Sequence, residues 1–147
     1  MLEDELRVED DPRPEDVATL SERVYEHNAF VTGHHDGRWL AIFVRDREGR
    51  IVAGLQGWTW GGTGFVQNLW VHQELRSQGL GHRLLEAAEH EAQQRGCREM
   101  HLDTHSYQAP DFYRRQGYAE LGVLPGWPGH TTRIFFRKAL MPGEPTA

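Results

Sequence analysis

Between Gly64 and Leu85 the chain reads GFVQNLWVHQELRSQGLGHRLL: an apolar stretch from Phe65 to Val71, a polar turn carrying Arg76, Gln78, Gly79 and Gly81, and the opening of an amphipathic run. A strand that feeds a glycine-bearing turn into a helix N-terminus aims unpaired backbone N–H groups and the positive end of the helix dipole at one point, which suits a phosphate. Gly79 and Gly81 carry no Cβ to hold a diphosphate away from those amides, and both can adopt positive φ. Arg76 adds charge. The dinucleotide fingerprint G-x-G-x-x-G and the P-loop G-x-x-x-x-G-K-[ST] are both absent.

The spacing Arg76-x-x-Gly79-x-Gly81, flanked by Leu69-Trp70-Val71-His72 and by Leu84-Leu85, resembles the Q/R-x-x-G-x-G/A loop of the GNAT superfamily of acetyl-CoA-dependent N-acyltransferases. Downstream, Gln108 to Tyr118 resembles that family's A-x-x-L-Y-x-x-x-G-F segment, with Ala109, Tyr113, Gly117 and Tyr118 in corresponding positions. The likeness extends from Arg38 to Lys138. It implies acetyl-CoA as cofactor and direct attack of a primary amine on the thioester, without a covalent acyl-enzyme. It also implies main-chain contacts to the acetyl and pantetheine portions from Leu69, Trp70 and Val71, and a diphosphate cradle of Arg76, Ser77, Gln78, Gly79, Leu80, Gly81 and His82. Ala109, Phe112 and Tyr113 join the cofactor site from the second block, and Ser106 stands where the family often has an asparagine that touches the cofactor. Tyr113 is the implied proton donor to the departing thiolate, whose conjugate acid has a pKa of about 8.5.

An amine with a pKa of about 10 is protonated at neutral pH, so something must take up its proton. Many GNAT enzymes use a glutamate on the strand before the loop; here Gln67 and Asn68 stand there, and neither is a base. The replacement candidates are His72, His101, Asp103 and His105, of which the last three share one face of a strand; His72 and His105 are taken as the catalytic pair of candidates, and His101 and Asp103 as acceptor-side residues. The row His101-x-Asp103-x-His105 also raises a metal, since imidazole and carboxylate suit zinc or iron, but such a row is more often a polar strand face, and no metal is expected. Trp58 and Trp60 share one strand face and are candidates for an acceptor pocket, with Trp127 a weaker one. The missing glutamate keeps open a reading in which the chain binds an acyl-CoA as a sensor or interaction module without turning it over.

These groups need a scaffold, and the chain length of 147 residues suits one domain with its own core. Glu5 to Glu9 alternates as a short first strand, and Asp10 to Pro14 breaks it. A helix follows from Pro14 to Asn28, with the family's second N-terminal helix placed at Asn28 to Val31. Strands at Arg38–Asp46, Ile51–Trp60 and Phe65–Val71 form a meander. A helix from Leu80 buries Leu84, Leu85, Ala88 and Ala92 and turns Glu86, Glu89 and Glu91 outward. Then come a strand at Arg98–His105, a helix at Ala109–Gln116, two strands at Tyr118–Val123 and Thr132–Lys138, and a frayed tail from residue 142. The order β-α-β-β-β-α-β-α-β-β makes one mixed α/β sheet with helices on both faces, the order that a GNAT domain has.

A net charge of −6 argues against nucleic acid as a partner. The acidic start MLEDELRVED is no secretory signal, and no apolar run is long enough to span a membrane, so the expected location is the cytoplasm. The expected partner is a small-molecule or peptide amine acceptor, and an exposed sheet edge leaves room for a homodimer. Cys97 is the only cysteine, so no intrachain disulfide forms, and it reads as a small core residue.

Overall fold

The structure is a computed structural model that describes residues 6–141, in two compact units that meet at His35/Asp36. The first unit holds helix α1 (Pro14–Thr32). Pro14 begins it with a preset φ, and Gly33, left-handed at φ 76°, ends it by turning its N–H onto the Ala29 carbonyl at 2.8 Å. The helix runs straight through Asn28 to Val31, so no separate second helix forms there. Leu6 to Glu9 form no strand, which corrects the expected first strand; Glu5 lies outside the described residues.

The second unit is a six-stranded mixed sheet. Its elements are β1 (Arg38–Arg45), β2 (Ile51–Trp60), β3 (Thr63–Val71), a 3-10 turn (Gln73–Leu75), α2 (Leu80–Gln94), β4 (Glu99–His105), α3 (Pro110–Arg115), β5 (Ala119–Trp127) and β6 (Thr131–Ala139). In space the strands lie β1-β2-β3-β4-β6-β5, antiparallel except for the β3–β4 pair. Leu84, Leu85, Ala88 and Ala92 of α2 pack on Leu40, Leu55, Val66, Met100, Leu102 and Phe136 of the sheet, and Tyr113 of α3 joins the same core. Cys97 belongs to that core, and burial pushes its thiol pKa up.

Glu89 does not face water as the helical pattern suggests. It is 8% exposed, and its carboxylate accepts bonds from Lys138 Nζ at 2.8 and 3.0 Å and from the Tyr118 hydroxyl at 3.5 Å. The lysine lies 49 residues further along the chain, so a local reading of the helix does not reveal the pair.

The feature that shapes the site is where β3 leaves β4. Their parallel pairing covers only Thr63–Val66 against Glu99–Leu102. One residue later β3 has a bulge: Val66 pairs with Gly57 and Asn68 with Gln56, leaving Gln67 as the extra residue. A one-residue insertion reverses which side chains face the core. Gly64 and Val66 are buried before the bulge, whereas Leu69 and Val71 pack against the core after it. Beyond that point β3 stays with β2 and β4 stays with β6, so the sheet opens between them.

Gly57 makes the bulge possible, because a Cβ there would lie 1.8 Å from the Phe65 carbonyl oxygen, a backbone atom with nowhere to go. Gly57→Ala should therefore lower stability by about 3 kcal/mol in urea unfolding. Gly122→Ala, where an added methyl meets nothing within 4 Å, should stay within about 0.5 kcal/mol.

Candidate active site

The opening between β3 and β4 is a cleft of about 860 Å³, walled by the C-terminal half of β3, the turn after it, the start of α2, the end of β4, and α3. Alternation along β3 decides which main-chain groups face it. The His72 N–H bonds to the Val52 carbonyl at 2.8 Å, so Trp70, paired with Gly54, also turns its N–H toward β2. Leu69 and Val71 then point their N–H and C=O groups the other way, into the cleft. The Val71 carbonyl is met there by Arg76 Nε at 3.0 Å, which draws the turn back onto the strand end. Of the three expected main-chain donors, Leu69 and Val71 have the orientation, while Trp70 lends only its side chain to the cleft wall.

At the head of α2, Gly79 adopts a left-handed φ of 77°, and Ser77 does so at 64°, which costs a non-glycine residue about 1 kcal/mol or more. Gly79 offers no side chain to cap the helix, no acid stands in the first turn, and the first intrahelical bond is Arg83 N–H to the Gly79 carbonyl. The N–H groups of Leu80, Gly81 and His82 thus have no partner within the helix, at the positive end of a 15-residue dipole. Gly81 does not use its freedom of φ. A Cβ there would rest at 3.6 Å from Phe112 and 3.9 Å from Val71, so its bareness serves access rather than conformation. Arg76 and Arg115 bring two guanidinium groups to the lining of this cleft in an acidic chain, and His82 lines it too, with Glu86 at 3.8 Å from its Nε2. Ser77 is part of the wall; Gln78 is not, and its amide reaches back toward the Glu74 carbonyl at 3.5 Å.

Helix α3 forms the facing wall with Ala109, Phe112 and Tyr113. It is joined to α2 through a short hydrogen bond between His82 Nδ1 and Gln116 Oε1, so the phosphate-type pocket and the tyrosine-bearing helix are pinned together. Tyr113 is 9% exposed and packs against Phe112, Tyr118 and Phe136. Burial, with a smaller contribution from the Asp103 charge, pushes its pKa up to about 12, so the hydroxyl keeps its proton at any physiological pH. Among the described residues its hydroxyl bonds to no protein group, which leaves it free for a ligand in the cleft.

From β4, Asp103 and His105 line the cleft and His101 does not. Asp103 is held by Arg133 Nε at 2.8 Å, and that guanidinium lies over the rings of Trp127 and Phe135. The His105 ring stacks on Tyr107 at 5.2 Å and meets Trp127 edge-on at 4.9 Å; its Nδ1 is buried without a hydrogen bond. His101 and His105 are about 13 Å apart along an extended strand, too far for both to close on one ion with Asp103. No group of three ligating side chains converges among the described residues.

His72 sits outside the cleft lining, its Nδ1 accepting from the Glu74 N–H at 3.2 Å as the cap of the 3-10 turn. Ser106 is also outside: its hydroxyl accepts the Thr132 N–H at 3.0 Å and helps close β4 onto β6. Trp58 and Trp60 occupy the sheet face opposite the α2 core, with Trp58 packed on Trp39 and Phe65, so neither lines the cleft. Gln108, Arg115 and Gln116 do line it, although nothing in their residue types separates them from other polar residues on and beside a short helix.

The profile of the Acetyltransferase (GNAT) family matches residues 3–118. The chain belongs to the GNAT acetyltransferases. It is 38% identical over 98 residues to the acetyltransferase Atu2258 of Agrobacterium fabrum, covering 67% of this chain and 72% of that one. It is 34% identical to the blasticidin-S acetyltransferase of Streptomyces morookaense, covering 67% and 74%. A crystal structure of an Agrobacterium tumefaciens protein superposes with a TM-score of 0.82 at 29% identity, covering 92% of this chain and 99% of that one. The GNAT enzyme described here has no helix, among its described residues, long and apolar enough to cross a membrane.

Burial also raises the Tyr118 pKa, reinforced by the neighbouring Glu89 carboxylate. Phenols in an unfolded chain ionise near pH 10. The stability conferred by these two buried rings is therefore complete below about pH 10 and falls as pH climbs above it, the Tyr113 share being lost by about pH 12 and the Tyr118 share only beyond that. Urea midpoints at pH 8, 10 and 11.5 should fall over that window, and Tyr113→Phe should fall less steeply than the parent chain.

Proposed function

We propose that this GNAT enzyme transfers the acetyl group of acetyl-CoA to a primary amine of a small molecule. The observation that carries the reading is the junction of two features in one cleft: the uncapped, acid-free N-terminus of α2 behind a left-handed Gly79, and the free β3 edge facing Tyr113. The N–H groups of Leu80, Gly81 and His82, with Arg76 and Arg115, suit a diphosphate. Leu69 and Val71 N–H groups suit the carbonyls of an extended arm and the negative charge that grows on a thioester oxygen. Acetyl-CoA supplies the activated acetyl group; the chain's own residues bind, orient and handle protons.

Tyr113, protonated and partly desolvated, acts as hydrogen-bond donor to the leaving sulfur. With a pKa near 12 it stabilises the thiolate by donation more than by outright proton transfer. His105 is the base on the opposite side. Its Nδ1 is enclosed, so proton exchange with the acceptor falls to Nε2. Asp103, neutralised by Arg133, orders the acceptor wall instead of accepting the proton. A small-molecule acceptor is favoured by the 34% identity to an enzyme named for blasticidin S.

Thiol release from acetyl-CoA, followed across a panel of polyamines, amino sugars, amine antibiotics and amino acids, tests the reading. At least one amine should release thiol, and CoA bound without release on any amine would instead make the chain a sensor. Tyr113→Phe should lower kcat about a hundredfold or more while the KM for acetyl-CoA stays within about twofold. His105→Gln should be most impaired at neutral pH, its deficit shrinking as pH approaches the acceptor's own pKa and the free amine no longer needs a base.

A further inference from the structure

Gln108 stands just before α3, and two donors converge on its side-chain oxygen. The Thr104 hydroxyl donates to Oε1 at 2.8 Å and the His105 backbone N–H donates to the same atom at 2.7 Å. A backbone N–H can only donate, so the atom it meets must be the carbonyl oxygen, and the orientation of the amide is fixed without appeal to the rest of the network. The side-chain NH2 therefore points away from both partners. It makes no hydrogen bond to a protein group among the described residues, and Gln108 lines the cleft.

Thr104 is 4% exposed and shares the inward face of β4 with Met100 and Leu102, so the amide clamped to it stands on the α2/α3 side of the opening. Counting from the last β3–β4 pair, Val66 with Leu102, and passing over the bulge, Leu69 comes level with Thr104. The gap at this level thus has hydrogen-bonding groups on both banks: the outward N–H of Leu69 on one, the NH2 of Gln108 on the other. A chain threaded here meets donors on two sides and needs carbonyl oxygens spaced along its length.

We propose that Gln108 is a binding residue for the amide-containing arm of the acyl donor, its Nε2 donating to a carbonyl oxygen of that arm. The proposal rests on the acyl-CoA reading of the cleft. Thr104 and the His105 N–H hold the donor in place before the ligand arrives, so little side-chain freedom is lost on binding. The contact belongs to the arm and not to the nucleotide, because the anion-binding end of the cleft lies at the other end of α3, where Gln116 meets His82.

Calorimetric titration of the full chain with CoA and with 3′-phosphoadenosine 5′-diphosphate, which ends where the arm begins, separates the two parts of the ligand. Gln108→Glu keeps an oxygen for Thr104 and His105 and replaces the free NH2 by an acceptor; it should weaken CoA about tenfold and change the nucleotide by less than about twofold. Gln108→Met, uncharged and of similar length, should show the same selective loss, which excludes repulsion of the diphosphate as its cause. In the parent chain, the side-chain NH2 resonances of Gln108 should shift on adding CoA and not on adding the nucleotide, a measurement that needs no folded variant. Equal affinities for CoA in parent and variants, an equal loss for both ligands, or unmoved NH2 resonances would overturn the proposal while leaving the acyl-CoA reading intact. A parent chain that binds neither ligand would overturn both.

Discussion

A single surplus residue in β3 sets the geometry on which the rest of the active cleft depends. With Gln67 extruded opposite Gly57, β3 keeps its ladder to β2, loses its ladder to β4, and exchanges its core-facing side chains from Val66 to Leu69 and Val71. Two amides that a regular sheet would have consumed are thereby left facing an opening. Main-chain donors on a sheet edge are already ordered by the fold, so they stabilise developing charge without reorganising.

The acidic balance of the chain and the cationic character of the cleft are compatible because the charges are sorted in space. Arg76 and Arg115 line the cleft together with His82, whose Nε2 has Glu86 at 3.8 Å, whereas the carboxylate that lines it, Asp103, is paired with Arg133, and Glu89 in the core is paired with Lys138. Removing Lys138 would leave the buried Glu89 carboxylate charged and unpaired, which is generally worse than having neither group. The Glu89–Lys138 pair ties α2 to β6, across a sequence separation of 49, and so spans the two halves of the sheet that flank the opening.

Features tied to local chemistry were legible from residues alone. Gly79 at the helix entrance, the three-strand meander, a short helix within Ala109–Gln116 and the inward stripe of α2 follow from turn propensity and periodicity, and the structure has each of them, the short helix over Pro110–Arg115. The features that escaped depend on partners far along the chain. Glu89 looked solvent-facing because Lys138 lies 49 residues on. Trp58 and Trp60 looked like pocket residues because alternation tells which residues share a face but not what that face meets. The N-terminal alternation at Leu6 and Val8 lacks a strand, since alternation supplies no pairing partner by itself. Ser106 is placed by its position in a motif and His72 by its ability to take a proton, whereas the Ser106 hydroxyl accepts the Thr132 N–H and His72 Nδ1 accepts the Glu74 N–H. Gln108 carried no signal, because an amide becomes a directed donor only once its oxygen is engaged.

The contact between position 57 and the Phe65 carbonyl has an evolutionary consequence. No side chain can be sampled at that codon one step at a time, since even a methyl group collides with the backbone of the next strand. Position 57 is thereby closed to every residue but glycine while the bulge stands, whereas an added methyl at Gly122 on β5 meets open space. Substitution along β5 therefore leaves the opening between β3 and β4 as it is, because none of the residues that wall it comes from β5.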